Sequence, residues 1–195
     1  GQTSESEVPH KALSLKEVFA IPGAAEIMLA FFGYCALEQT AGLWSASYLV
    51  LNRGIEAETA AAFASLFFLG ITIGRFLNGF IAMKLCPKQM VRLGQVMMVL
   101  GGLLLFVPGQ GVGVFGLLFM GLGCAPVYPN IVQDTPRNYG AENSQAVIGV
   151  QMAFAYVGSL SMPIIFGWLA EALGYGILPV ASLAVTAAMT GLDHT

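Results

Sequence analysis

The sequence predicts an all-α integral membrane protein whose six transmembrane helices form two inverted three-helix repeats. Three observations lead there. Hydrophobic residues make up 56% of the 195 and charged residues only 10%, against about 25% charged in soluble domains, and the mean hydropathy is +0.75. Apolar runs of membrane length recur at 25–51, 59–83, 90–107, 112–133, 144–171 and 177–192, and about 20 such residues cross the ~30 Å hydrocarbon core. Finally, a shift of 88 residues brings Leu29, Phe31 and Gly33 onto Leu117, Phe119 and Gly121, and Gly70, Gly79, Phe80 and Ala82 onto Gly158, Gly167, Trp168 and Ala170. Each unit holds three spans, an odd number, so the second copy lies upside down. Inverted repeats of this kind build secondary transporters with a midplane site between the repeats.

Residues 1–23 are polar and read as a cytoplasmic linker and surface segment, closed by Pro22-Gly23. Within it, Leu13, Leu15, Val18 and Phe19 either lie as an amphipathic turn on the membrane surface or belong to an ordinary linker. Residues 24–192 form the six-helix bundle. The first span is apolar except for Glu38, Gln39 and Thr40 at its middle, and helical spacing puts Tyr34, Ala41, Ser45 and Tyr48 on the side of Glu38. A carboxylate at mid-membrane is costly and faces a bundle interior or a watery cavity. This helix is therefore expected to line something. Asn52-Arg53-Gly54, Cys86-Pro87-Lys88, Pro108-Gly109-Gln110-Gly111 and Gly174-Tyr175-Gly176 separate successive spans, and Asp134-Thr135-Pro136 is expected to close the fourth. The last span has 16 residues, and 193–195 read as a truncated cytoplasmic tail. The start at Gly1 and the stop just past the last apolar run suggest a fragment of a longer protein.

The loops predict orientation. Lys11, Lys16, Lys84, Lys88, Arg92 and Arg137 fall on one side and Arg53 on the other. Short-loop Lys and Arg mark the cytoplasmic face, which places both termini there, in the cytoplasmic (inner or plasma) membrane. A net charge of −3 without a clustered basic face argues against nucleic acid. Cys35, Cys86 and Cys124 have no disulfide or zinc spacing. No cofactor or metal is expected. His10 and His194 lie in the tails, and no nucleophile–base or paired-carboxylate constellation marks an enzyme.

Two charges lie within the spans. At 1.5 Å per residue Arg75 sits roughly 13 Å and Glu38 roughly 20 Å from the cytoplasmic end, a difference an arginine side chain covers. Arg75 either pairs with Glu38 or an acid outside this chain, or bonds helix ends and snorkels. In the repeat Glu38 aligns with Pro126 and Arg75 with Pro163. Pro126, Pro129 and Pro163 are expected to bend the fourth and fifth spans, which either exposes carbonyls to a cavity or only shapes packing. Asn78, Tyr128, Asn130, Gln133, Gln151 and Ser159 add polar groups. Trp44 and Tyr48, near the outer end, either stack on a sugar ring or anchor the helix at the interface. The third and sixth spans lack mid-span charges and are expected at the periphery. Gly70, Gly74, Gly94, Gly101 and Gly102 read as close-packing surfaces.

Gly79–Lys88, GFIAMKLCPK, is similar to the loop signature G-x-L-A-D-R-x-G-R-K of the major facilitator superfamily, keeping Gly79, Ala82, Lys84 and Lys88, with Met83 in place of the acid and Cys86 in place of the second glycine. Its echo, Gly167–Gly174, keeps Gly167, Leu169, Ala170, the acidic Glu171 and Gly174. The chain thus resembles the C-terminal six-helix half of such a transporter. Gly74-Arg75-Phe76, Gly123–Pro129 and Gly149–Ala153 bring it nearest to fucose permease-like sugar transporters. The resemblance implies half of a twelve-helix fold, a missing N-terminal six-helix half, and alternating access for a small polar solute. It also implies import coupled to an ion, the proton first among candidates. Fucose permease-like relatives carry their main proton carriers in the other half. A substrate or gating role for Glu38 is accordingly favoured over proton coupling. An efflux carrier for drugs or metabolites, or a non-transporting receptor or scaffold, are the competing readings.

Overall fold

A computed structural model describes residues 13–192. Lys11 and the tails 1–12 and 193–195 lie outside the described residues. Among the described residues eight helical segments follow one another: α1 (Leu15–Phe19), α2 (Ala24–Arg53), α3 (Ala57–Ile81), α4 (Pro87–Leu104), α5 (Gln110–Cys124), α6 (Val127–Tyr139), α7 (Ala141–Leu173) and α8 (Ile177–Leu192). Segments α5 and α6 together make the fourth span, and α1 precedes the first. On length and apolar composition alone, Ala57–Ile81, Gly111–Tyr139 and Ala141–Leu173 qualify to cross a membrane, with Ile177–Leu192 apolar but shorter. The 30-residue α2, interrupted by its own charges, and the 18-residue α4 are packed into the same bundle.

Local chemistry sets most boundaries. Gly23 and Gly54, at φ 80° and 66°, bracket α2 in the left-handed region that favours glycine. Helix α4 starts at Pro87, three residues before the expected boundary, because Gln89 Oε1 accepts from the backbone N–H of the cap residue Cys86 and Pro87 occupies the first turn, where a missing N–H costs nothing. One expectation fails: Asp134-Thr135-Pro136 does not close the fourth span, since α6 runs through Pro136 to Tyr139 and ends at Gly140. Thr135 is fully buried and hydrogen-bonded, and that tertiary anchoring outweighs the local preference before proline.

The short N-terminal segment is a packed helix. Ser14 and Glu17 form a reciprocal capping box. Val18 is buried against Met28 and Val147, and Phe19 meets Phe154 edge-on at 5.8 Å. It therefore belongs to the end of the bundle where α2 and α7 meet.

The packing repeats as the sequence does. Exchanging the two repeats swaps the first span with the fourth, the second with the fifth, the third with the sixth. Under that exchange the α2–α7 contact becomes α3–α5, α2–α8 becomes α4–α5, α2–α3 becomes α6–α7, and α4–α8 maps onto itself; all of these are substantial contacts. The match extends to residues. A Cβ on Gly70 would lie 2.5 Å from the Leu118 carbonyl oxygen of α5, and one on its repeat partner Gly158 2.7 Å from the Phe32 oxygen of α2. Both glycines let helix backbones touch, the small-residue packing expected in a bilayer. Gly74, Gly94, Gly101 and Gly102 are equally closed, facing Ala125, Gly123, Gly116 and Leu183.

Candidate functional site

A cavity of about 400 Å³ opens at mid-bundle, lined by Tyr34, Cys35, Glu38 and Gln39 of α2, Arg75 of α3, Tyr128 of α6, and Met152, Ala155, Tyr156 and Ser159 of α7. Its walls come from the first, second, fourth and fifth spans. No lining residue among those described comes from α4 or α8, which pack behind.

Glu38 is the centre of this wall. Its Oε2 accepts a hydrogen bond from the Tyr34 hydroxyl one turn earlier, and Arg75 Nη2 stands 3.8 Å from Oε1. The Glu38 side chain is 18% exposed and that of Arg75 56%, so the pair forms the cavity surface and is not sealed between helices. Each charge offsets much of the other's desolvation cost. Gln39 is exposed beside Glu38. Tyr128 stacks obliquely on Phe31 at 5.2 Å and its hydroxyl reaches Met152 Sδ at 3.3 Å.

Other candidates are used elsewhere. The indole N–H of Trp44 donates to the Pro163 carbonyl at 2.9 Å, and its ring packs on Phe166, Tyr175 and the open flank of Gly167. Tyr48 is 2% exposed and donates to the Leu105 carbonyl. Arg53 accompanies it, donating to Tyr48, Leu105, Val107 and Gly109, so that the guanidinium caps the C-terminal end of α4. These groups border a second cavity with Asn52 and Pro108, at the opposite end from Lys88. Gln151 is fully buried and exchanges hydrogen bonds with Thr135 at 3.1 and 3.2 Å, tying α7 to α6. Asn130, 1% exposed, donates to Asn78 Oδ1 at 3.0 Å and to the Pro126 carbonyl at 2.6 Å, tying α6 to α3. Asn130 also borders a small pocket at the lysine-bearing end, with Lys88, Arg92 and Asp134.

The prolines divide in the same way. Pro126 separates α5 from α6, which is where the fourth span breaks. Pro129 sits in the first turn of α6, where its missing N–H has no helical partner to lose. Pro163 lies inside α7, which remains one helix. The carbonyl that Pro126 cannot pair, that of Leu122, lies against Gly74 of α3, and the carbonyls of Pro126 and Pro163 take bonds from Asn130 and Trp44. Of the carbonyls that these prolines leave without a helical partner, that of Leu122 is closed off by α3, whereas that of Ser159, one turn before Pro163, belongs to a residue that lines the cavity.

The sequence did not offer Tyr34, Cys35, Met152, Ala155 or Tyr156 as site residues. The signal existed for α7: 152, 155, 156 and 159 recur at helical spacing and form one face.

A pseudo-symmetric helical bundle with a charged cavity at its middle is the architecture expected of one half of a secondary transporter. The chain belongs to the Major Facilitator Superfamily, whose sequence model matches residues 27–192. A Saccharomyces cerevisiae protein, "Bypass of stop codon protein 6", is 23% identical over 97% of this chain and 40% of its own length. A crystal structure of the Major Facilitator Superfamily transporter FucP in the outward conformation has TM-score 0.76 and 19% identity, covering 92% of this chain and 43% of that one. A variant of the E. coli fucose:proton symporter FucP has TM-score 0.75 and 20% identity over the same shares. The chain thus spans less than half the length of these relatives, and its fold is that of one half of such a transporter. It is an integral membrane protein of a transporter family, not an enzyme.

Proposed function

We propose that this chain is the C-terminal half of a secondary carrier that imports a small, uncharged, polar solute, a sugar or a related metabolite. It works by alternating access, is driven by a proton gradient, and needs an N-terminal six-helix half to complete the cavity. Residues 24–192 are its membrane domain and 1–23 its linker. The lysine-bearing end, with both termini, faces the cytoplasm across the cytoplasmic membrane.

The observation that carries this is the Glu38–Arg75 pair on the cavity wall. Its charges balance, so the wall carries no net charge to concentrate an ion of either sign. Its atoms still present acceptors and donors side by side, with the Gln39 amide and the Tyr128, Tyr156 and Ser159 hydroxyls around them. Neighbouring hydroxyls on one solute meet such a surface in both senses. Polar groups in a closed site discriminate strongly against a solute that leaves them unpaired. The similarity to a fucose:proton symporter supports the solute class and the ion. A cavity built to expel drugs would favour apolar and aromatic walls.

Glu38→Gln keeps the shape and removes the charge. In proteoliposomes holding the full-length protein, equilibrium exchange and gradient-driven accumulation are measured for labelled L-fucose, D-galactose, D-glucose and D-mannose. Both should fall together by roughly tenfold or more, the scale of a lost hydrogen bond to a charged group. Exchange that survives while accumulation disappears would make Glu38 the proton carrier. Wild-type levels of both would remove Glu38 from function.

A further inference from the structure

The two oxygens of Glu38 have partners of different kinds. Oε1 faces Arg75, which reaches across from α3 and is more than half exposed. Oε2 accepts from Tyr34, which precedes Glu38 by four residues on the same helix, so the two side chains stand on one face. Tyr34 is 1% exposed, and its ring lies 6.3 Å from that of Phe31, itself fully buried. A buried ring of this size has almost no rotational freedom, whereas a glutamate at a cavity surface can turn about three bonds. The phenol is therefore the rigid member of the group. It contributes an edge to the cavity lining but too little surface to serve as a platform for solute.

We propose that Tyr34 is the positioning residue of this site. Its hydroxyl immobilises Oε2 and so fixes the direction in which Oε1 and Arg75 meet the solute, which makes Tyr34 a determinant of hydroxyl stereochemistry. This rests on the proposal that the cavity binds a neutral polyhydroxylated solute. A carboxylate free to swing follows a hydroxyl to either epimeric position. A carboxylate pinned on one oxygen bonds well to one epimer only. The role is distinct from that of Glu38, because Tyr34 acts through the carboxylate and not on the solute.

The test uses the full-length transporter in proteoliposomes and the same four sugars. Tyr34→Phe retains the ring and removes the hydroxyl. For the sugar that wild type prefers, KM should rise roughly tenfold while kcat changes less than about twofold, as expected for one lost hydrogen bond to a charged group. The preference for that sugar over its epimers should fall towards one. Glu38→Asp provides a second, independent variant: it keeps the charge but withdraws the carboxylate by one methylene, and should reproduce the KM rise and the lost preference. Combined with Glu38→Gln, Tyr34→Phe should add nothing, since residues acting as a unit are not additive. A residue that only packs the helix would lower kcat and KM performance independently of Glu38, and the penalties would multiply.

Wild-type KM and selectivity in Tyr34→Phe, alongside an impaired Glu38→Gln, overturns the positioning role and leaves the transport proposal intact. If Tyr34→Phe does not reach the membrane, wild-type selectivity in Glu38→Asp overturns it instead. Absence of transport of all four sugars by the wild-type protein overturns the reading of the cavity as a sugar site, and this proposal with it.

Discussion

The contact between α3 and α5 makes a sharp quantitative test of the fold. A methyl group added at Gly70 would lie 2.5 Å from the Leu118 carbonyl oxygen, 3.0 Å from the Leu122 nitrogen and 3.1 Å from the Gly121 Cα. All three are backbone atoms of a packed helix and cannot turn aside as a side chain would. Relief requires the helices to part by about 1 Å, enough to forfeit a quarter to a half of the dispersion energy at the crossing. Overpacking of a tight core costs about 1–3 kcal/mol, and the better helix propensity of alanine returns up to about 1 kcal/mol. Gly70→Ala should therefore destabilise the full-length protein by about 1–2 kcal/mol, read from denaturant or thermal unfolding in detergent. Gly158→Ala, at the repeat-related crossing, should cost a similar amount. Gly79→Ala is the control: nothing lies within 4 Å of its added methyl, and it should be neutral or slightly stabilising. If Gly70→Ala and Gly79→Ala behave alike, the helices do not approach as described, and the symmetric packing built on that approach fails.

Other expectations follow from single contacts. Arg53→Lys replaces a fork that reaches three carbonyls and a hydroxyl with a point charge; unfolding measurements should show a loss of about 1–2 kcal/mol with solute KM unchanged. Trp44→Phe removes the bond to the Pro163 carbonyl and should cost about 1 kcal/mol. A loss of sugar affinity in that variant would instead restore Trp44 to the solute site. The exposed thiol of Cys86 should resist a membrane-impermeant maleimide on intact cells, while Gly111→Cys in a Cys86→Ser background is labelled; reversed labelling inverts the proposed orientation.

Much of the architecture was readable along the chain because its causes are local. Apolar runs report which segments can sit in lipid, and Gly23, Gly54 and Gly174 mark turns because only a residue without a Cβ adopts their backbone angles cheaply. The repeat was visible because Gly70 and Gly158 are needed at equivalent crossings. Pro136 misled for the converse reason: its local preference against helix is smaller than the packing that holds Thr135 in place.

The polar residues show where local reasoning stops. Glu38, Gln39, Arg75 and Tyr128 line the cavity, whereas Trp44, Tyr48, Asn130 and Gln151 spend their hydrogen bonds on neighbouring helices. Within an apolar helix both kinds look the same, since each needs a partner and the sequence does not say whether that partner is another helix or a solute. By itself the sequence indicated six spans, their inverted repeat, and two charges, Glu38 and Arg75, within the spans, since burial preference and helical rise depend on the residue and its near neighbours. Only the tertiary structure decided which polar groups remain free to act. That depends on how far each helix is rotated about its axis where it crosses the next, and the rotation is set by the fit of all the helices at once.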